Sequence, residues 1–240
     1  MLLVVNNLVK KYGKKTAVDS ISFTVNIGEI YGLIGPNGAG KTTTLRIIAT
    51  LLTPTAGSVV VDGIDVTKNP LEVRRRISYL PEEAGAYPYM TGEEYLVFIS
   101  KLYDPENYKD IAVEAEELSG LGDALKEKIK TYSKGMKRRL QLARSLAVKP
   151  RLAILDEPTS GIDVLYSLEI REQIRRYAKQ HGITILLSSH NMLEVEDLCD
   201  RVAIIYNGKI IAEGTVKEII NKVGAYNLEE AFARLVMHAK

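Results

Sequence analysis

Short apolar runs separated by turn residues fill the first third of the chain. Leu2 to Val5, Ile21 to Val25 and Ile30 to Ile34 read as strands, and Ser58 to Val61 with Ile64 to Val66 flank Asp62-Gly63, the signal of a two-residue type I′ hairpin. From about Pro81 the period changes. Tyr95, Phe98, Ile99, Leu102 and Tyr103 recur at the spacing of one helix face, a second helix covers about Asp110 to Leu118, and a basic helix runs from about Met136 to Val148 and stops before Pro150. Strand and helix then alternate. Leu152 to Leu155 is an unbroken apolar run, as expected for a parallel strand covered on both faces, and a helix over Val164 to Ala178 leads to the strands Ile183 to Leu187 and Val202 to Tyr206. Asn207-Gly208 turns the last strand back into Lys209 to Ala212, and the stripe Leu228, Ala231, Phe232, Leu235 and Val236 predicts a packing helix. The pattern predicts an α/β core over residues 1–81 and 151–240, with antiparallel strands in its front part and an all-helical subdomain inserted at residues 82–150.

Composition narrows this only slightly. The 240 residues are enough for one large domain with an inserted subdomain, and 32 Lys and Arg against 30 Asp and Glu leave a net charge of +2, which gives no electrostatic case for nucleic acid or an anionic membrane surface. The one cysteine, Cys199, has no second thiol to pair with and reads as a structural residue in a reducing compartment. Met1 to Asn6 lacks the basic region of a signal peptide, and no apolar run approaches the length of a spanning helix, so any membrane part is expected in another subunit.

The chemistry gathers around Gly35-Pro36-Asn37-Gly38-Ala39-Gly40-Lys41-Thr42-Thr43. This is G-x-x-x-x-G-K-T between an apolar strand and a helix: a glycine-rich backbone that aims successive N–H groups at one anion, with the helix dipole behind it. Lys41 is positioned for the β/γ-phosphates and the Thr42 hydroxyl for Mg²⁺. Hydrolysis also needs a metal-holding carboxylate and a group that handles water. Leu152 to Leu155 ends in Asp156-Glu157, which supplies both, Asp156 for the metal and Glu157 as proton acceptor. His190 follows another apolar strand and emerges at the same carboxyl edge. Tyr12, in the first loop among lysines, is either a surface tyrosine or a platform for a nucleotide base.

Tyr12, GPNGAGKTT, a Glu82 loop, YSKGM at Tyr132 to Met136, LAILDEP, SGID at Ser160 to Asp163 and SSH, in that order, resemble the nucleotide-binding subunit of an ABC transporter over essentially the whole chain. The resemblance implies a P-loop NTPase with a RecA-like core, an antiparallel β subdomain and a helical signature subdomain, binding ATP with Mg²⁺. It implies adenine stacking for Tyr12, metal contacts for Thr42, Glu82 and Asp156, and catalytic roles for Lys41, Glu157 and the γ-phosphate switch His190. Ser133 and Gly135 would complete the ATP site of a second cassette, most simply in a homodimer, with Ser160 to Asp163 at the same junction. A separate integral-membrane permease is the implied partner, with no nucleic acid, and the subunit would sit in the cytoplasm on the inner face of the membrane.

Two positions depart from the family's commonest pattern. The signature, usually LSGGQ, is YSKGM here, and Glu82 stands where most members have glutamine. With the surrounding PEEAGAYPYMTGEEYL these variants are similar to the ABC-2-type branch, which mostly exports drugs, ions, lipids or polysaccharides. The competing expectation is a soluble ABC protein of translation or DNA repair, although those relatives carry paired cassettes or a long coiled-coil insertion.

Overall fold

The computed structural model describes residues 1–238. At its centre Ile30–Ile34 (β3), Leu152–Asp156 (β7) and Thr184–Ser189 (β8) are buried along their whole length. Their continuous apolar sequence follows from having two covered faces. Ile154 and Leu186 point into one hydrophobic cluster, while Leu155, Ile185 and Leu187 point into the cluster on the opposite side. With Ile77–Leu80 (β6), Arg201–Tyr206 (β9) and Lys209–Thr215 (β10) they form a six-stranded sheet of order β10-β9-β3-β8-β7-β6. All its pairs are parallel except β9 with β10.

A second, antiparallel sheet packs beside it, of order β2-β1-β4-β5, from Leu3–Tyr12 (β1), Lys15–Val25 (β2), Ala56–Val61 (β4) and Ile64–Asp65 (β5). The β1-β2 hairpin is longer than its apolar pattern suggests. Register shifts interrupt the pairing after Val5 and Leu8, and Asn7 has φ 45°, so inward and outward positions fall out of step while pairing continues to Tyr12 and Lys15. Tyr12 therefore ends a strand, where the sequence suggested a loop. Both two-residue turns have the expected backbone, with φ 49° and 80° at Asp62 and Gly63, and 47° and 79° at Asn207 and Gly208.

The helix that follows β3 is Lys41–Ile48 (α1), and a short helix at Pro70–Arg74 (α2) precedes β6. Between β6 and β7 lie Gly92–Tyr103 (α3), Tyr108–Ser119 (α4) and Lys134–Ala147 (α5). A capping box between Thr91 and Glu94 starts α3. Its buried face centres on Tyr95, Leu96 and Ser100 rather than on the full stripe read from the sequence, leaving Leu102 and Tyr103 in the open. The remaining helices are Val164–His181 (α6), Met192–Leu198 (α7), Val216–Val223 (α8) and Leu228–His238 (α9). Among the described residues no helix is long and apolar enough to cross a membrane.

Candidate active site

The loop from Gly35 to Gly40 leaves β3 and enters α1 at Lys41. Two of its glycines are required by close approach. A Cβ on Gly35 would collide with the carbonyl of Ile205 on β9, and Gly40, at φ 112°, would put a Cβ 2.5 Å from the carbonyl of Ala17 on β2. The loop is thereby pinned between the two sheets. Lys41 folds back over it, donating from Nζ to the carbonyls of Gly35 at 2.7 Å and Pro36 at 3.3 Å. Nζ also lies 3.3 Å from Glu157 Oε1, and neither side chain is exposed by more than 6%.

Asp156 ends β7 fully buried. The register of β7 with β8 sets Ser188 opposite it, and the Ser188 hydroxyl donates to Asp156 Oδ1 at 2.5 Å. Thr42 Oγ1 donates to the same oxygen at 3.2 Å, while the Tyr79 hydroxyl reaches Oδ2 at 3.4 Å. Burial, helped by the Asp156 charge, pushes the Tyr79 phenol up to about 12, so it acts here as a donor. A threonine hydroxyl beside a carboxylate is the hard-oxygen set that Mg²⁺ takes when phosphates complete its shell, and these residues fit that ion.

Glu157 is held in the left-handed region at φ 49°, an uncommon conformation for a non-glycine residue and one found often at functional sites. Its N–H is shared between the carbonyl and the hydroxyl of Ser188, each at 3.1 Å. That turn aims the carboxylate back across the sheet edge. Oε1 meets Lys41, and Oε2 accepts from His190 Nδ1 at 2.8 Å. Lys41, Thr42, Asp156, Glu157 and His190 thus meet at one edge. A cleft of about 350 Å³ opens over it, lined by Tyr12, Lys15, Ala17, Pro36, Asn37, Gly38, Gly40, Lys41, Thr42, Thr43, Glu82 and Glu157.

Tyr12 stands at the mouth of this cleft, 46% exposed, with Lys10 Nζ 5.2 Å from its ring centre. Glu82 is exposed and lines the same cleft. Ser133 and Gly135 do not line the cleft. Ser133 caps α5 by accepting from the Met136 N–H at 3.2 Å, and a Cβ on Gly135 would meet nothing nearer than Ser133 Oγ at 3.9 Å. Among the described residues nothing requires glycine at 135. Asp163 caps α6 in the same way, through the Tyr166 N–H.

Arg138 is one residue that sequence reasoning missed. It is 6% exposed on the first turns of α5, and all its guanidinium nitrogens donate to backbone carbonyls: Nε to Pro158, one terminal nitrogen to Pro81 and Glu82, the other to Asp156 and Glu157, at 2.7–3.2 Å. One side chain therefore ties the helix that begins at Ser133 to the Glu82 loop and to the Asp156-Glu157 strand end. Burial lowers its pKa to about 10 against the opposing charges of Asp156, Glu194 and Glu82. The signal was an arginine in helical phase with the buried Leu142, Ser145 and Leu146.

A family model described as ABC transporter matches residues 18–160. The linearmycin resistance ATP-binding protein of Bacillus subtilis (strain 168) is 41% identical over 225 residues, covering 93% of this chain and 72% of that protein. The daunorubicin/doxorubicin resistance ATP-binding protein of Streptomyces peucetius is 42% identical over 222 residues, 92% of this chain and 67% of that protein. A solved structure of the ATP-binding subunit of an ABC transporter superposes with a TM-score of 0.84 at 30% identity, covering 98% of this chain and 100% of that one.

Proposed function

The chain belongs to the ABC transporter family, and from that premise we propose that it is the ATP-binding and ATP-hydrolysing subunit of a membrane exporter, working as two cassettes that close on ATP. The observation that carries this is the meeting of Lys41, Thr42, Asp156, Glu157 and His190 at one sheet edge beneath the phosphate loop. The two similar proteins are named as resistance ATP-binding proteins, and nothing favours translation or DNA repair.

In this mechanism the backbone N–H groups of Gly38 to Thr43 and the Lys41 ammonium bind the β- and γ-phosphates, and Tyr12 stacks on the adenine. Thr42 and Asp156 would hold Mg²⁺, with Glu82 lining the same cleft, and the ion would supply charge neutralisation at the phosphates. Glu157 accepts a proton from the attacking water as its oxygen bonds to the γ-phosphorus and the bond to the β-phosphate oxygen breaks, leaving ADP and phosphate. His190 orients the Glu157 carboxylate through the contact at Nδ1. Ser133 and Gly135 of a second copy present a hydroxyl and a bare N–H at a helix start to the γ-phosphate.

The subunit sits in the cytoplasm, held peripherally to the inner face of the membrane by a separate permease that determines the cargo. An open, largely apolar groove is lined by Leu51, Leu71, Ile77, Leu102 and Tyr103 together with Arg74 and Arg75, and this suits a short amphipathic helix of the permease. The loop from Ala84 to Met90 contributes no residue to this groove. Ala86 and Met90 pack inward, and Tyr87 lies edge-on against Phe98, although Tyr87 and Tyr89 remain exposed. Co-purification from native membranes, followed by a Mg²⁺-dependent ATPase assay, tests the whole assignment. A polytopic membrane protein and ATP turnover are expected; a preparation with neither would overturn it.

A further inference from the structure

Glu194 lies outside the cleft and has no part in the mechanism above, yet it is 2% exposed. Its two carboxylate oxygens are engaged by two hydroxyls. Thr159 Oγ1 donates to Oε1 at 2.7 Å, and Ser189 Oγ donates to Oε2 at 2.6 Å. Thr159 is two residues beyond Glu157, in the turn that leads to Ser160–Asp163, and Ser189 immediately precedes His190. Glu194 is itself anchored in the first turn of α7, where Asn191 Oδ1 accepts from its N–H at 3.3 Å, and the Asn191 N–H returns to Ser189 Oγ at 3.0 Å.

Burying an ionised carboxylate is costly, and a neutral side chain of the same size would fold here at less expense. Burial, with the nearby Glu157 charge, raises the Glu194 pKa, against the pull of Arg171 and the two hydroxyl bonds. What the carboxylate adds is two strong acceptors, one for the turn after Glu157 and one for the strand end before His190. A symmetrical acceptor pair is what a tie between two segments needs.

We propose that Glu194 is a positioning residue for ATP hydrolysis. It fastens the turn after Glu157 to the strand end that presents His190, and so holds the Glu157–His190 contact in place. This rests on the ATPase reading above. Loosening the tie leaves the phosphate loop intact but widens the range of Glu157–His190 geometries, and misplacement of a reacting group by about 1 Å costs on the order of 100-fold in rate.

The test compares the parent chain with Glu194→Gln, Thr159→Val and the double variant, measuring ATP affinity, single-turnover hydrolysis and thermal unfolding at neutral pH. Glutamine keeps the volume and removes the second full acceptor. Expected are ATP affinities within about twofold of the parent, a fall of about tenfold or more in turnover for each single variant, and a double variant no slower than the worse single. The melting temperature of Glu194→Gln should hold or rise, because a buried charge has gone. Turnover within twofold of the parent in both single variants would overturn the positioning role alone. A joint fall of affinity, turnover and melting temperature would also overturn it, marking Glu194 as merely structural. A parent chain with no Mg²⁺-dependent hydrolysis overturns the ATPase reading and this inference together.

Discussion

Lys41 Nζ lies 3.3 Å from Glu157 Oε1, with both side chains buried. The cation assigned to phosphate is thus paired with the carboxylate assigned to water, and under that assignment an incoming triphosphate competes with Glu157 for the ammonium. Glu157→Gln should therefore bind Mg-ATP more tightly than the parent, by roughly 3- to 10-fold, equivalent to about 1 kcal/mol. Lys41→Ala should bind it about 100-fold more weakly, since a charge-assisted contact to phosphate is lost. Equilibrium titration of both variants checks the opposite signs.

Arg138 uses every guanidinium nitrogen on carbonyls of Pro81, Glu82, Asp156, Glu157 and Pro158. Lysine cannot reproduce that planar fork. Arg138→Lys should cost about 2–4 kcal/mol of stability, read as a lower urea midpoint with unchanged slope, and should slow hydrolysis while the isolated fold persists.

Much of this site was legible because its parts are local. Strand, glycine loop and helix are contiguous from Ile30 to Ile48, and Asp156, Glu157 and His190 each close an apolar run, so their edge position follows from a parallel sheet. Long-range contacts were not legible. Tyr79 sits in a four-residue strand too short to show a period, and it reaches Asp156 only because β6 pairs with β7. The hydroxyls of Ser188 and Ser189 looked like part of a strand end, and their carboxylate partners, Asp156 and Glu194, are fixed by register and by a helix start. The β1-β2 hairpin was underestimated because its bulges break the alternation that marks a strand.

Tyr12 is half exposed at the cleft mouth, which suits a ring that stacks on a base through its face. Tyr12→Ala should weaken ATP binding by roughly 2- to 10-fold, in keeping with about 0.5–1.5 kcal/mol for an aromatic stack, and Tyr12→Phe should leave it unchanged. Fluorescent-nucleotide titration distinguishes the two.

Gly135 has room for a methyl group and no positive φ, so Gly135→Ala should leave the single chain folded and stabilise α5 by about 0.5 kcal/mol. A bulkier Gly135→Val should stay folded as well, yet block the approach of phosphate from a second copy. Sedimentation with Mg-ATP in a Glu157→Gln background should show dimers for the parent sequence and monomers for Gly135→Val.

Single-turnover hydrolysis by Glu157→Gln, measured beside its ATP affinity under one set of Mg²⁺ and salt conditions, tests the assignment of Glu157 most directly. Glutamine matches the shape of glutamate and keeps an acceptor for His190, but it cannot take the proton of the attacking water. The predicted result is retained or tighter ATP binding with turnover lower by about 10²–10⁴. Turnover near that of the parent would contradict it, and would leave water orientation by His190 and Glu82 as the source of catalysis.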